Sequence, residues 1–248
     1  MRVPVSRGIR TGTVRPVSID DGVFATGRLV SSGGSMRLQA VGRGLYDQFL
    51  QDAGDVSVAT DLSLGLASDA VVTIQGIWAG DLIRNAEVVE DLVEPIEMPE
   101  RLGERINQDL VPAGRFAREE ILAPAVLDLT KGLGDNLLFY CAYKLADGWI
   151  GMACATESKP VEQALTPVLG DALVVVEVDW TAQDLEVVDK WLMGADIADG
   201  LLSFGQGMDP AGQFRSYALV RMATPEMASA LAPVHPDALL LTSWIQKS

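Results

Sequence analysis

The stretch EVVEDLVEPIEMPE, residues 87–100, constrains this chain most. It carries six carboxylates and two prolines, and its apolar residues show no helical spacing. Proline fixes its own φ and restricts the residue before it, and like charges repel, so the segment reads as an extended connector. It predicts a two-domain α+β protein: a small domain over 1–92, an acidic, proline-containing connector over 93–112, and a second domain over 113–248. Each domain would then close its own apolar centre. One continuous sheet woven from both halves would overturn that division.

The charge on either side supports a break. Residues 1–50 hold seven arginines against three aspartates, whereas residues 51–100 hold eleven acidic residues against Arg84 alone. The whole chain has a formal charge of −15, yet 48% of its residues are apolar. At 248 residues it can bury a substantial core, and apolar surface left over would be covered by a partner or a second copy. The opening MRVPVSRGIRTG lacks the apolar stretch of a secretory leader. No run approaches the roughly 18 apolar residues of a membrane span. Two cysteines do not make a disulfide framework. The expectation is a cytoplasmic protein with no membrane partner and no cofactor.

In the first half, short β-prone runs alternate with turns. GVFATGRLV and SMRLQAV flank SSGGS, whose Gly33-Gly34 suits a hairpin, and GLYDQFLQDAG (44–54) is the one helical pattern. In VVTIQGIW (71–78), Val72, Ile74 and Trp78 share one face, and Gly76 marks a bulge or a sheet corner. Five or so strands in about 90 residues predict a small β-barrel of OB or SH3-like type.

The second half predicts an α/β sandwich with a mainly antiparallel sheet, in the order β-β-α-β-α-β-α-β. No internal repeat stands out. A helix starts at Pro124 and closes at Gly132 or Gly134. NLLFYCAYKLADGWIGMACAT predicts a hairpin turning on Asp147-Gly148, with Ala146 facing Trp149 and Cys141 directly opposite Cys154. ALVVVEVDW (172–180) reads as an interior strand, and Thr181 with Asp184 caps the helix that follows.

Chemistry-bearing candidates are few. Arg28, Arg37 and Arg43 would form the cationic face of a nucleic-acid-binding barrel. Glu177 and Asp179 share one face of a strand. As a pair they suit carboxylate- or metal-dependent hydrolysis; otherwise they would pair with Arg215 or Arg221 or lie in water. GLLSFGQGMDPAGQF (200–214) reads as the longest irregular segment, with Gly205, Gly207, Asp209 and Gly212 as ligand-loop candidates. His235, the sole histidine, sits between prolines, and no nucleophile motif accompanies it. Buried apolar roles are expected for Cys141 and Cys154. No catalytic constellation and no metal-ligand set emerges. The reading is a non-catalytic protein-interaction or assembly module, with a protein partner or a second copy of itself. Nucleic-acid binding and hydrolysis are the competing readings.

Overall fold

The computed structural model describes residues 15–32, 35–40, 55–59, 70–89, 110, 123–146, 148–194, 200–209 and 211–248. The predicted helix at 44–54, the Gly33-Gly34 turn, Arg43 and nearly all of the connector lie outside these residues. The chain is of mixed α/β type and mostly sheet.

Five N-terminal strands form a closed ring. They are β1 (Gly22–Ser32), β2 (Ser35–Ala40), β3 (Asp55–Ala59), β4 (Val71–Trp78) and β5 (Leu82–Val89). β1 pairs antiparallel with both β2 and β4, β2 with β3, and β4 with β5; a parallel β3–β5 pairing closes the circuit. Alternation in the strands sends Val23, Ala25 and Leu29 of β1, and Val72, Ile74 and Trp78 of β4, into one apolar core. The register slips between Gln75 and Ile77, as Gly76 suggested. A Cβ at Gly76 would lie 2.5 Å from Ile83 and 2.8 Å from the Arg84 carbonyl oxygen, so only glycine lets β5 cross there.

The C-terminal half is a unit used twice, a repeat that was not apparent in the sequence. Helix α1 (Pro124–Lys131) precedes β6 (Leu137–Leu145), β7 (Gly148–Ala155), α2 (Ser158–Leu169) and β8 (Leu173–Glu177). Then α3 (Ala182–Leu192) precedes β9 (Leu201–Met208), β10 (Phe214–Met222), α4 (Pro225–Leu231) and β11 (Leu239–Lys247). In each unit the first strand pair is antiparallel and the second parallel. The helix-to-strand passages read ALTPVLGDAL (164–173) and ALAPVHPDAL (230–239), which share Ala-Leu, Pro-Val and Asp-Ala-Leu in the same places. Two corrections follow. Residues 201–208 are a strand rather than a loop, and the second half contributes to two mixed sheets rather than one mainly antiparallel sheet.

The first unit forms its own sheet, ordered β6-β7-β8. β8 is therefore an edge strand, although both its faces are covered: Leu173 and Val175 lie under α1 and α2, Val174 and Val176 against the second unit. The second unit joins the ring. β11 pairs with β1 through Val23–Lys247 and Phe24–Gln246, giving one eight-stranded sheet, β2-β3-β5-β4-β1-β11-β10-β9. This sheet is woven from both halves and the ring's core takes side chains from the C-terminal half, so the two halves do not each close a separate apolar centre. Leu219, Trp244 and Ile245 complete the ring's core. The Trp244 indole N–H donates to the Thr26 carbonyl at 2.8 Å, and Lys247 pairs with Asp21 at 2.9 Å.

The β6–β7 hairpin has a different register from the one expected, and Asp147 of the expected turn lies outside the described residues. Leu145 faces Gly148 and Lys144 faces Trp149, so Cys141 lies opposite Met152, and Cys154 opposite Phe139. Gly148 adopts φ 149°, open to glycine, as the first residue of β7 instead of sitting in the turn. A slip of two residues leaves every side chain on its expected face. It also separates the two cysteines along the ladder.

Candidate functional site

Four elements converge at the edge of the ring. The end of β4 supplies Trp78, and the turn after it supplies Gly80 (φ 101°) and Asp81. The last turn of α3 brings Lys190 and Trp191. The end of β10 and the start of α4 bring Arg221, Met222, Thr224, Glu226 and Met227. They enclose a cleft of about 750 Å³, and Asp55 and Val56 of β3 close its far side. Such a volume lies within the range of small-ligand and side-chain pockets, roughly 300–1,000 Å³.

The floor and the mouth differ in chemistry. Trp78 is buried and serves both the ring's core and the cleft wall. Arg221, half-buried, is the next-to-last residue of β10 after the buried YALV, and its backbone N–H donates to the Gly200 carbonyl. Its Nε is buried with no hydrogen-bond partner. Other cations near the cleft are occupied: Arg37 holds Asp55 at 2.7 Å, and Lys190 holds Glu186 at 2.7 Å. At the mouth, Asp81 and Glu226 are exposed. Hydrogen bonds from its own backbone N–H and from the Thr224 hydroxyl hold the Glu226 carboxyl below its usual range. Thr224 also caps α4, accepting from the Met227 N–H at 3.2 Å. Ile19 reaches over Gly80, and Met193 follows Trp191; at 67% and 74% exposure they are the most exposed large apolar side chains among the described residues.

The candidates named from the sequence are scattered. Arg28 is half-buried on β1, opposite Val71 and Gln39, and Arg37 is engaged by Asp55. Arg84, the neighbouring cation, pairs with Asp20. Glu177 accepts from the Ser158 N–H at 2.8 Å and so anchors the start of α2; hydrogen bonds from the Ser158 hydroxyl and backbone N–H hold its carboxyl below the usual range. Asp179 is exposed, and neither acid meets Arg215 or Arg221 among the described contacts. His235 forms a turn, its Nδ1 accepting from the Asp237 N–H at 3.2 Å while its own N–H donates to Asp184.

Gly205, Gly207, Asp209 and Gly212 lie in the β9–β10 hairpin rather than in a loose loop. The Tyr217 ring and its hydroxyl fill the space where a Gly205 Cβ would be. Gly212 takes φ 77° and packs against Met152 and Val176 of the first sheet. Asp209 accepts from the Ala211 and Gln213 N–H groups and pairs with Arg215 at 3.0 Å, both side chains almost fully buried. The Arg215 guanidinium lies 4.8 Å from the Trp180 ring, whose N–H donates to the Phe214 carbonyl. This hairpin thus wedges the second unit onto the first, helped by Phe139 stacked on Phe214 at 4.4 Å.

The cysteines sit in the same wedge. Cys141 donates to the Met208 sulfur at 3.3 Å, and Cys154 accepts from the Phe214 N–H at 3.2 Å. Burial pushes both thiols up to about 11, so neither supplies a thiolate near neutral pH. Among the described residues no cluster of three or more His, Cys, Asp or Glu side chains is placed to hold a metal ion. None of their helices is long and apolar enough to cross a membrane.

Sequence reasoning missed the cleft because its walls come from five separated stretches. Its one local signal was Arg221 within an apolar strand. No protein-family model matches this chain, and no curated protein matches it significantly.

Proposed function

We propose that this chain is a non-catalytic interaction module that docks a segment of a partner protein in the cleft between the ring and the second repeat. The observation that carries the reading is the composition of that cleft. Trp78, Trp191, Met222, Met227 and Arg221 line one cavity, flanked by the exposed Ile19 and Met193. Trp, Met and Arg are enriched at protein interfaces, and Trp and Arg dominate their energetic centres. Exposed apolar side chains beside a concave wall are the rim that an incoming segment would cover. The ring is read as a small barrel of the OB kind, since five strands close through β1 pairing with both β2 and β4. It supplies a rigid wall for the cleft rather than a nucleic-acid surface, with Arg37 and Arg84 already holding carboxylates.

Selection of a random peptide library on the intact chain tests this, with counter-selection on Trp191→Ala and Met193→Asp variants. Peptides enriched on the native chain should lose about tenfold or more in affinity for either variant, each of which retains its thermal unfolding midpoint within a few degrees. No enrichment, or enriched peptides that bind the variants equally, overturns the proposal. A concentration-dependent dimer dispersed by Met193→Asp would make a second copy the occupant instead.

A further inference from the structure

We propose that Arg221 is the anion anchor of this cleft, so that the docked segment presents a carboxylate to it. This rests on the cleft being the docking site. A guanidinium is always charged near neutral pH and offers five fixed donors, a geometry that matches a carboxylate. Burying a donor without an acceptor is unfavourable unless a ligand provides one. The Arg221 Nε is so placed, and among the described ion pairs none includes Arg221. The cation on the opposite wall, Lys190, already has Glu186.

The surroundings narrow the ligand further. Trp78 and Trp191 give the walls aromatic faces, which favour an apolar or aromatic body next to the charge. Asp81 and Glu226 are exposed at the mouth and repel a multiply charged anion such as a polyphosphate. A single carboxylate at Arg221, with neutral or cationic groups toward Asp81 and Glu226, satisfies both. That carboxylate is either an acidic side chain or a chain terminus of the partner.

Three small probes on the intact chain separate the possibilities: indole-3-propionate, its primary amide, and tryptamine. Nuclear magnetic resonance shifts of the Trp78 and Trp191 indole N–H groups and of the Arg221 Nε–H report binding. The acid should bind at least about tenfold more tightly than the amide. Arg221→Gln should bring the acid down to the amide's affinity while leaving the amide's unchanged, and Arg221→Lys should keep part of the preference. Binding should also weaken as pH falls below about 5 and the probe's carboxyl protonates. Equal affinity for acid and amide, or tighter binding of tryptamine, overturns the anchor while shifts at the two indoles still support the cleft. Shifts confined to another surface, or none with any probe, overturn both. Peptides from the library with a free or an amidated C-terminus then distinguish a chain terminus from an acidic side chain as the source.

Discussion

The two αββαβ units share an order of elements and a passage of sequence, yet they keep different company. The first closes its own three-stranded sheet and covers one face with α1 and α2, where Val126, Val161 and Leu165 are fully buried. The second donates its last strand to the ring, and Leu219, Trp244 and Ile245 fill the ring's core. The end of β7 reads ACAT and the end of β10 reads VRMA. In the first unit Ala153 and Ala155 face the helices and Cys154 faces the second unit, whereas in the second unit Arg221 and Met222 line the cleft. The comparison teaches that a site can arise where one of two like units is tied to the ring by a strand pairing that its twin, among the described residues, does not make.

Breaking the second unit's wedge should have the largest effect. Arg215→Ala leaves Asp209 buried without its partner, and a loss of about 3–5 kcal/mol in urea unfolding is expected. Replacing both residues by apolar ones should recover most of that loss, because no charge then remains buried. If the double variant is no better than the single, the pair is not the reason the hairpin seats.

The shared passages offer a matched test. Leu165→Ala, at a fully buried site, should cost about 2–5 kcal/mol, and Leu231→Ala, at 6% exposure on a shorter helix, should fall toward the lower end. The reverse ranking would show that the ring, rather than the unit's own helix, dominates packing in the second repeat.

Gly205→Ala should cost about 1–3 kcal/mol by driving a methyl into the Tyr217 ring, and Tyr217→Ala in the same chain should reduce that cost. Additive losses would deny the contact. The smallest effect concerns pH. Glu177 has a lowered pKa in the folded chain, so its tie to α2 is in place above the unfolded carboxyl value near 4.5 and is lost as pH falls through the folded value. The Ser158 amide should report this titration, and Glu177→Gln should abolish it. The α4 cap donated to Thr224 should persist, since its acceptor is a hydroxyl.

What was legible in the sequence follows from how local each cause is. Period-two alternation placed Val72, Ile74 and Trp78 correctly, and Thr181 with Asp184 forms the capping box expected. β9 was not legible because Gly205 looks like a loop residue until Tyr217 is seen lying over it. The hairpin register was misplaced by two because a glycine can begin a strand as readily as it can make a turn. The repeat was not legible because only the short passages ALTPVLGDAL and ALAPVHPDAL match, and their flanks differ in sequence and surroundings. The cleft depends on β11 meeting β1, more than two hundred residues apart, and no local pattern encodes that pairing.

Native-state hydrogen exchange on Trp244→Ala tests that pairing most directly. Removing the indole takes away its bond to Thr26 and part of the ring's core, and protection of the β1 and β4 amides should fall together with that of β11. Rapid exchange in β11 with wild-type protection throughout the ring would contradict it, and would show that the N-terminal strands hold their core without the C-terminal repeat.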